Sequence, residues 1–135
     1  MKSVISLEKQ ILASLDSTRL NLIILPTEKC NFRCFYCYED FEIGKMVRPI
    51  IDSLKKLIES RFEDLEELEI SWFGGEPLVA KEIIYEISDF VIDNGPSRLN
   101  FFSNITTNGF LLDFNTFEEL VKRKVKLFQI SIDGD

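Results

Sequence analysis

The chain has no histidine. That absence removes imidazole acid/base catalysis, Ser-His-Asp and Cys-His nucleophilic machinery, and every mixed Cys/His zinc site. Cysteine is scarce too: there are three, all between Cys30 and Cys37. An odd number of closely spaced cysteines does not build a disulfide framework, which needs pairs and an oxidising compartment, so reduced thiolates are expected. Positive charge is in deficit, with 16 Lys and Arg against 23 Asp and Glu and a net charge of -7. Such a surface repels phosphate backbones on average, and nucleic acid is not an expected partner. Long apolar runs are missing as well. The longest purely aliphatic stretch is Leu22 to Leu25, far short of a membrane span, so no membrane partner is expected. Glu8, Lys9 and Gln10 interrupt the place where the apolar core of a signal peptide would lie, which leads to a cytoplasmic expectation. No internal repeat, low-complexity tract or Gly/Ser/Pro-rich linker is visible.

What remains is the material of one ordinary domain: 135 residues, 45% hydrophobic, with 12 Phe to fill a core. Four β-prone runs read as strands: Asn21 to Leu25, Leu68 to Phe73, about Asn100 to Thr107, and Lys126 to Ile132. The last is apolar enough to be buried on both faces, as parallel strands are. Amphipathic helices fall between them. The first places Ile50, Ile51, Leu54, Leu57 and Ile58 on one face behind Pro49, and the second groups Ile83, Ile84, Ile87, Phe90 and Val91 and stops at Gly95-Pro96. The third turns Phe117, Leu120 and Val121 inward, with Asn115 and Glu118 as its capping signal. Strand and helix in alternation predict an α/β fold with a parallel sheet, the apolar stripes serving as core. The first twenty residues suit either a helix, through Leu7, Ile11 and Leu15, or a small hairpin.

Four short motifs sit at or just past the ends of the predicted strands: Cys30-Asn31-Phe32-Arg33-Cys34-Phe35-Tyr36-Cys37, Gly74-Gly75-Glu76-Pro77, Thr107-Asn108-Gly109 and Ser131-Ile132-Asp133-Gly134. In a parallel sheet those ends share one edge, where ligands bind. Gaps of three and two residues let the three thiolates face one centre. Soft thiolates favour zinc, cuprous copper or iron-sulfur clusters. Structural zinc wants a fourth ligand, which only a carboxylate or another chain could supply here. A cubane held by three cysteines leaves one iron open for chemistry. Each motif also has a plainer reading. The Gly-Gly and Asn-Gly pairs are ordinary turn signals, Phe35 and Tyr36 suit a core, and Ser131 and Asp133 could cap a helix.

The three cysteines, with Tyr36 just before the third, together with Gly74 to Pro77 and Ser131 to Gly134, resemble the motifs of the radical SAM superfamily over roughly Asn21 to Asp135. The resemblance implies an incomplete partial TIM-type barrel with four parallel βα-type strands of an expected six. Residues 1–20 would be an N-terminal extension and 21–135 a partial core, in a truncated product or a piece of a longer protein. It further implies a 4Fe-4S cluster on Cys30, Cys34 and Cys37, and S-adenosyl-L-methionine cleaved reductively to a 5'-deoxyadenosyl radical. Around the cofactor, Tyr36 would pack near the adenine, and Gly74 and Gly75 would let backbone groups approach the methionyl end. Glu76 and Pro77 would shape that turn, Ser131 and Asp133 would bond ribose hydroxyls or the ammonium, and Asn108 would be a further contact. No catalytic residue beyond these ligands is implied. The run from Cys34 to Glu39, taken with Thr107 to Gly109 and Ser131 to Gly134, is similar to peptide- and protein-modifying enzymes, including SPASM-type and sulfatase-maturating ones. A peptide or protein substrate is the expectation that follows, with an electron donor such as flavodoxin or ferredoxin. A small-molecule reaction in cofactor biosynthesis and a non-catalytic iron-sulfur or zinc-binding module are the alternatives.

Overall fold

A computed structural model describes Lys9, Ile11, Leu12 and residues 15–132. Four strands, β1 (Arg19–Ile24), β2 (Glu67–Trp72), β3 (Asn100–Thr107) and β4 (Val125–Ile130), form one sheet in the order β1-β2-β3-β4. All three pairings are parallel. Helix α1 (Arg48–Glu59) links β1 to β2, a 3-10 turn (Pro77–Ala80) and α2 (Lys81–Asn94) link β2 to β3, and α3 (Phe114–Lys122) links β3 to β4. This is the α/β partial barrel expected from the sequence, each strand shifted by at most a few residues from its predicted limits.

Period-two alternation divides the sheet into two faces. Leu68, Ile70 and Trp72 of β2, with Phe101 and Ile105 of β3, are buried in one cluster with Ile51 and Ile58 of α1 and Ile83, Ile84, Ile87 and Val91 of α2. Each such side chain contributes roughly 2 kcal/mol by leaving water, so this face holds the fold together. The opposite face is polar and linked across strands. Asn104 Nδ2 donates to Glu69 Oε1 and to Ser71 Oγ, both at 2.9 Å, while Ile23 beside them is 74% exposed.

Four expectations need correction. β4 is not buried on both faces: only Val125 is buried and Leu127 is 63% exposed, because among the described residues no element lies beyond this edge strand. In α3 the inward residues are Thr116 and Leu120, whereas Phe117 and Val121 are 41% and 46% exposed. The cap of α3 is Asp113, whose side chain accepts from Thr116 N at 2.7 Å, and not Asn115. That bond holds the Asp113 carboxyl below its ordinary range. Finally, Ile50 and Leu57, expected on the packing face of α1, are 51% and 50% exposed. Helix α2 stops at Gly95 as expected. The glycine is needed there because a Cβ would lie 2.6 Å from the Val91 carbonyl oxygen. Of the leading segment, Lys9, Ile11 and Leu12 are helical, and the pattern read from Leu7 lies partly outside the described residues.

Candidate functional site

Past the end of β1 the chain continues beside the end of β2. Phe73 N donates to Ile24 O at 3.0 Å, Gly75 N to Thr27 O at 3.3 Å and Glu76 N to Lys29 O at 3.0 Å. The approach is so close that a Cβ on Gly74 would stand 2.4 Å from Thr27 O, and one on Gly75 2.2 Å from Glu28 O. Gly74 also has φ +121, which side chains rarely adopt. The two glycines therefore seat the segment that delivers Cys30. The expected job of giving a ligand access to backbone remains compatible with this, since both also line the pocket described next.

The cysteine loop is closed at its neck by an isolated antiparallel bridge between Thr27 and Lys45 and by Met46 N donating to Pro26 O at 2.8 Å. Inside it, the Arg33 guanidinium donates to the carbonyls of Cys30 and Phe32 at 2.7 and 2.6 Å, Cys37 N donates to Cys34 O at 3.0 Å, and Ile43 N donates to Glu28 Oε2 at 3.0 Å. Cys30, Cys34 and Cys37 are free thiols on the wall of one pocket of about 280 Å³. Tyr36, Gly74, Gly75, Asn108 and Ser131 share that wall, so residues from all four predicted motifs meet in one place. Ser131 is brought there by its backbone N, which extends the β3–β4 pairing by donating to Thr107 O at 3.1 Å. Asp133 lies outside the described residues.

Two predicted residues sit behind the wall. Glu76 is wholly buried and accepts from Leu78 N at 3.0 Å, from Thr107 Oγ1 at 2.8 Å and from Asn108 N at 2.8 Å. Pro77, also buried, opens the 3-10 turn. Glu76 thus ties the end of β2 to the end of β3. Sequence reasoning missed Phe32, Tyr38, Glu39, Phe73 and Thr106, which also line the pocket. The signal for Phe73 and Thr106 was available: each continues the alternation of its strand onto the face away from the helices. Two hollows of about 360 and 440 Å³ lie elsewhere, near Pro96 and near Leu78 and Asp113, but neither holds a thiol, so chemistry rather than size selects the site.

Among the described residues, no three Cys, Asp or Glu side chains are gathered as they would be around a single metal ion. The donor set still fits a cluster. Each iron of a cubane needs only its own thiolate, and the wall offers three thiols, no imidazole and a neighbouring amide group.

Fold and site together define the class: a parallel α/β protein with a thiol-lined pocket at the carboxyl edge of its sheet. The chain belongs to the Radical SAM superfamily, whose sequence model matches residues 24–135. It is 34% identical over 125 residues to a GTP 3',8-cyclase of Microcystis aeruginosa, covering 89% of this chain and 35% of that protein. It is 25% identical over 118 residues to a PqqA peptide cyclase of Gluconobacter oxydans, covering 87% of this chain and 31% of that protein. A solved structure described as native anSMEcpe with bound AdoMet and Cp18Cys peptide superposes with TM-score 0.73 at 27% identity, covering 87% of this chain and 32% of the other. The chain thus spans about a third of the length of these relatives. Among the described residues no helix is long and apolar enough to cross a membrane.

Proposed function

We propose that this chain carries the cofactor-binding half of a radical SAM reaction, with Cys30, Cys34 and Cys37 holding a 4Fe-4S cluster. One observation carries the reading: residues at the carboxyl ends of all four strands, the three thiols among them, line a single pocket. When bound and reduced, a cluster held by Cys30, Cys34 and Cys37 would supply the electron for reductive cleavage of S-adenosyl-L-methionine. The chain's own residues hold and orient. The Thr27–Lys45 neck and the glycine-packed segment fix the cysteine loop against the sheet. Tyr36, half exposed at the pocket, offers an aromatic face of the kind that stacks on adenine, and the Ser131 hydroxyl can donate to or accept from ribose or amine groups. Gly74 and Gly75 present backbone to the same space, and Asp133 follows Ser131 closely enough in sequence to contribute. Glu76 and Pro77 act through the turn they shape.

For the substrate, the first reading is a peptide or protein. The superposed anSMEcpe structure has a bound peptide, and one relative is a peptide cyclase. The GTP 3',8-cyclase relatives favour a small molecule as the second reading. A flavodoxin- or ferredoxin-like protein would supply the electron, in the cytoplasm.

Anaerobic reconstitution with iron and sulfide tests the cluster. Uptake of iron and sulfide in equal amounts, with an EPR signal that changes on adding S-adenosyl-L-methionine, is expected. Stoichiometric zinc and no spectral response would replace this reading by that of a non-catalytic metal module. Release of 5'-deoxyadenosine stimulated by peptide rather than by nucleotide would separate the two substrate readings.

A further inference from the structure

Cys30 differs from the other two cysteines in the donors that face its sulfur. Phe32 N donates to Cys30 Sγ at 3.3 Å, and Asn108 Nδ2 stands 3.8 Å from it, within reach for a large sulfur acceptor. Among the described residues, no donor reaches the sulfurs of Cys34 or Cys37. The Asn108 carboxamide is oriented by its other contacts. Its Oδ1 accepts from Phe110 N at 3.0 Å, so its nitrogen must face the opposite way, and Nδ2 donates to Asn31 Oδ1 at 2.9 Å. A primary amide has two hydrogens, and here two acceptors await them: Asn31 Oδ1 and Cys30 Sγ. The backbone is held as firmly, because Asn108 N donates to the buried Glu76 carboxylate at 2.8 Å. Every polar atom that could turn this side chain away is already engaged.

We propose that Asn108 is a positioning residue of the cluster site, whose carboxamide donates to the Cys30 thiolate and raises the reduction potential of the cluster held there. This assigns it a task other than the S-adenosylmethionine contact expected from the sequence, and it rests on the cluster reading above. The physical reason is charge. Reduction adds one negative charge to a sulfur-rich group, and an N–H dipole aimed at one of its sulfurs stabilises the more negative state. Taking the donor away leaves the reduced state less stable and moves the midpoint down. A carboxylate in the same place replaces a donor by a negative charge and moves it further in the same direction.

The test is a redox titration, without S-adenosylmethionine, of the reconstituted chain and its N108A and N108D variants, with iron and sulfide assayed in each and folding checked by circular dichroism. Equal cluster content is expected in all three. The midpoint should be less favourable to reduction in N108A than in the parent, and less favourable again in N108D. Unchanged midpoints in both would overturn the proposal. Loss of the cluster from folded N108A and N108D alike would also overturn it, in favour of a purely structural role. If N108A fails to fold, N108S is read in its place against the same two outcomes. A parent chain that takes up no cluster would sink the underlying cluster reading first, a failure visible before any variant is made.

Discussion

Glu76 places a carboxyl group in the interior of the protein. Its carboxylate is wholly buried, and it is met by three hydrogens, from Leu78 N, the Thr107 hydroxyl and Asn108 N, rather than by a cation among the described residues. Truncation leaves all three donors unpaired. Glu76→Ala is therefore expected to lose about 3 kcal/mol of stability in urea unfolding. Glu76→Gln keeps the shape but offers an NH2 where one oxygen accepted, so it should lose less, about 1–2 kcal/mol. The glycines make a second contrast at this scale. A Cβ on Gly75 meets backbone oxygens of Glu28 and Lys29 at 2.2 and 2.7 Å, which cannot rotate aside, whereas a Cβ on Gly44 meets nothing within 4 Å. Gly75→Ala should displace the segment leading into Cys30 and cut iron uptake on reconstitution severalfold, while Gly44→Ala, in the same loop, should leave it unchanged. Equal uptake in both would show that the glycine packing does not hold the cysteine loop.

Between elements, charge does the fastening where the helices meet. Glu86 of α2 is held by Arg48 and Lys55 of α1, the latter at 2.5 Å. Hydrogen bonds from Arg48 and then Lys55 lower its pKa from 4.5 to about 2. A depressed carboxyl stabilises the fold above its unfolded pKa and loses that contribution as pH falls through the folded one. The α1–α2 clasp is thus present at neutral pH and is lost as pH falls from about 4.5 toward about 2. The Glu86 side chain is 30% exposed, so solvent screening keeps its worth to about 1 kcal/mol. Glu86→Gln should be less stable than the parent by that amount near neutral pH, with the two urea midpoints converging in acid. A constant gap across the range would mean that packing, not charge, accounts for the loss. No periodicity announces this clasp, because its partners are 31 and 38 residues apart in sequence. The legible parts were local. Leu68, Ile70 and Trp72 alternate plainly, and Ile83, Ile84, Ile87 and Val91 mark a buried stripe. The cap of α3 was misread since Asn115 and Glu118 match a capping pattern by spacing alone, while the bond is made by Asp113 to Thr116. Phe117 and Val121 read as inward because apolar character was taken for burial. The motifs converged as expected because a parallel sheet puts every strand's end on one edge. The brace from Glu76 to Asn108 was not legible, since it depends on how the ends of β2 and β3 lie beside each other.

For the molecule as a whole, the sheet has a paired centre and two open edges: β2 and β3 are paired on both sides, whereas β1 and β4 are each paired on one, and the two edges differ in their surroundings. Around β4 the surface is apolar. Leu127, Ile130 and Ile132 are exposed on or just past the strand, and Phe114, Phe117 and Val121 are exposed on α3. Phe117 covers part of Phe128, their ring centroids 5.1 Å apart, but nothing among the described residues covers Leu127. β4 carries one charge, Lys126, but these exposed side chains are apolar, and an edge of this kind is a template for pairing with another chain. The 135-residue chain is therefore expected to sediment as a concentration-dependent mixture of monomer and larger species. Leu127→Lys should shift that mixture toward monomer, because a charge placed at an edge is costly to bury against a second copy. It should cost less than about 0.5 kcal/mol in urea unfolding, as an exposed surface change does. The register sets Leu127 beside Asn104, on the polar face, so the lysine has hydrogen-bonding neighbours rather than core to meet. A control at Ile23, 74% exposed but on β1 at the far side of the sheet, separates the edge from general stickiness: Ile23→Lys should leave the sedimentation profile of the parent in place. If both lysines dissolve the larger species equally, the whole polar face rather than the β4 edge is what self-associates.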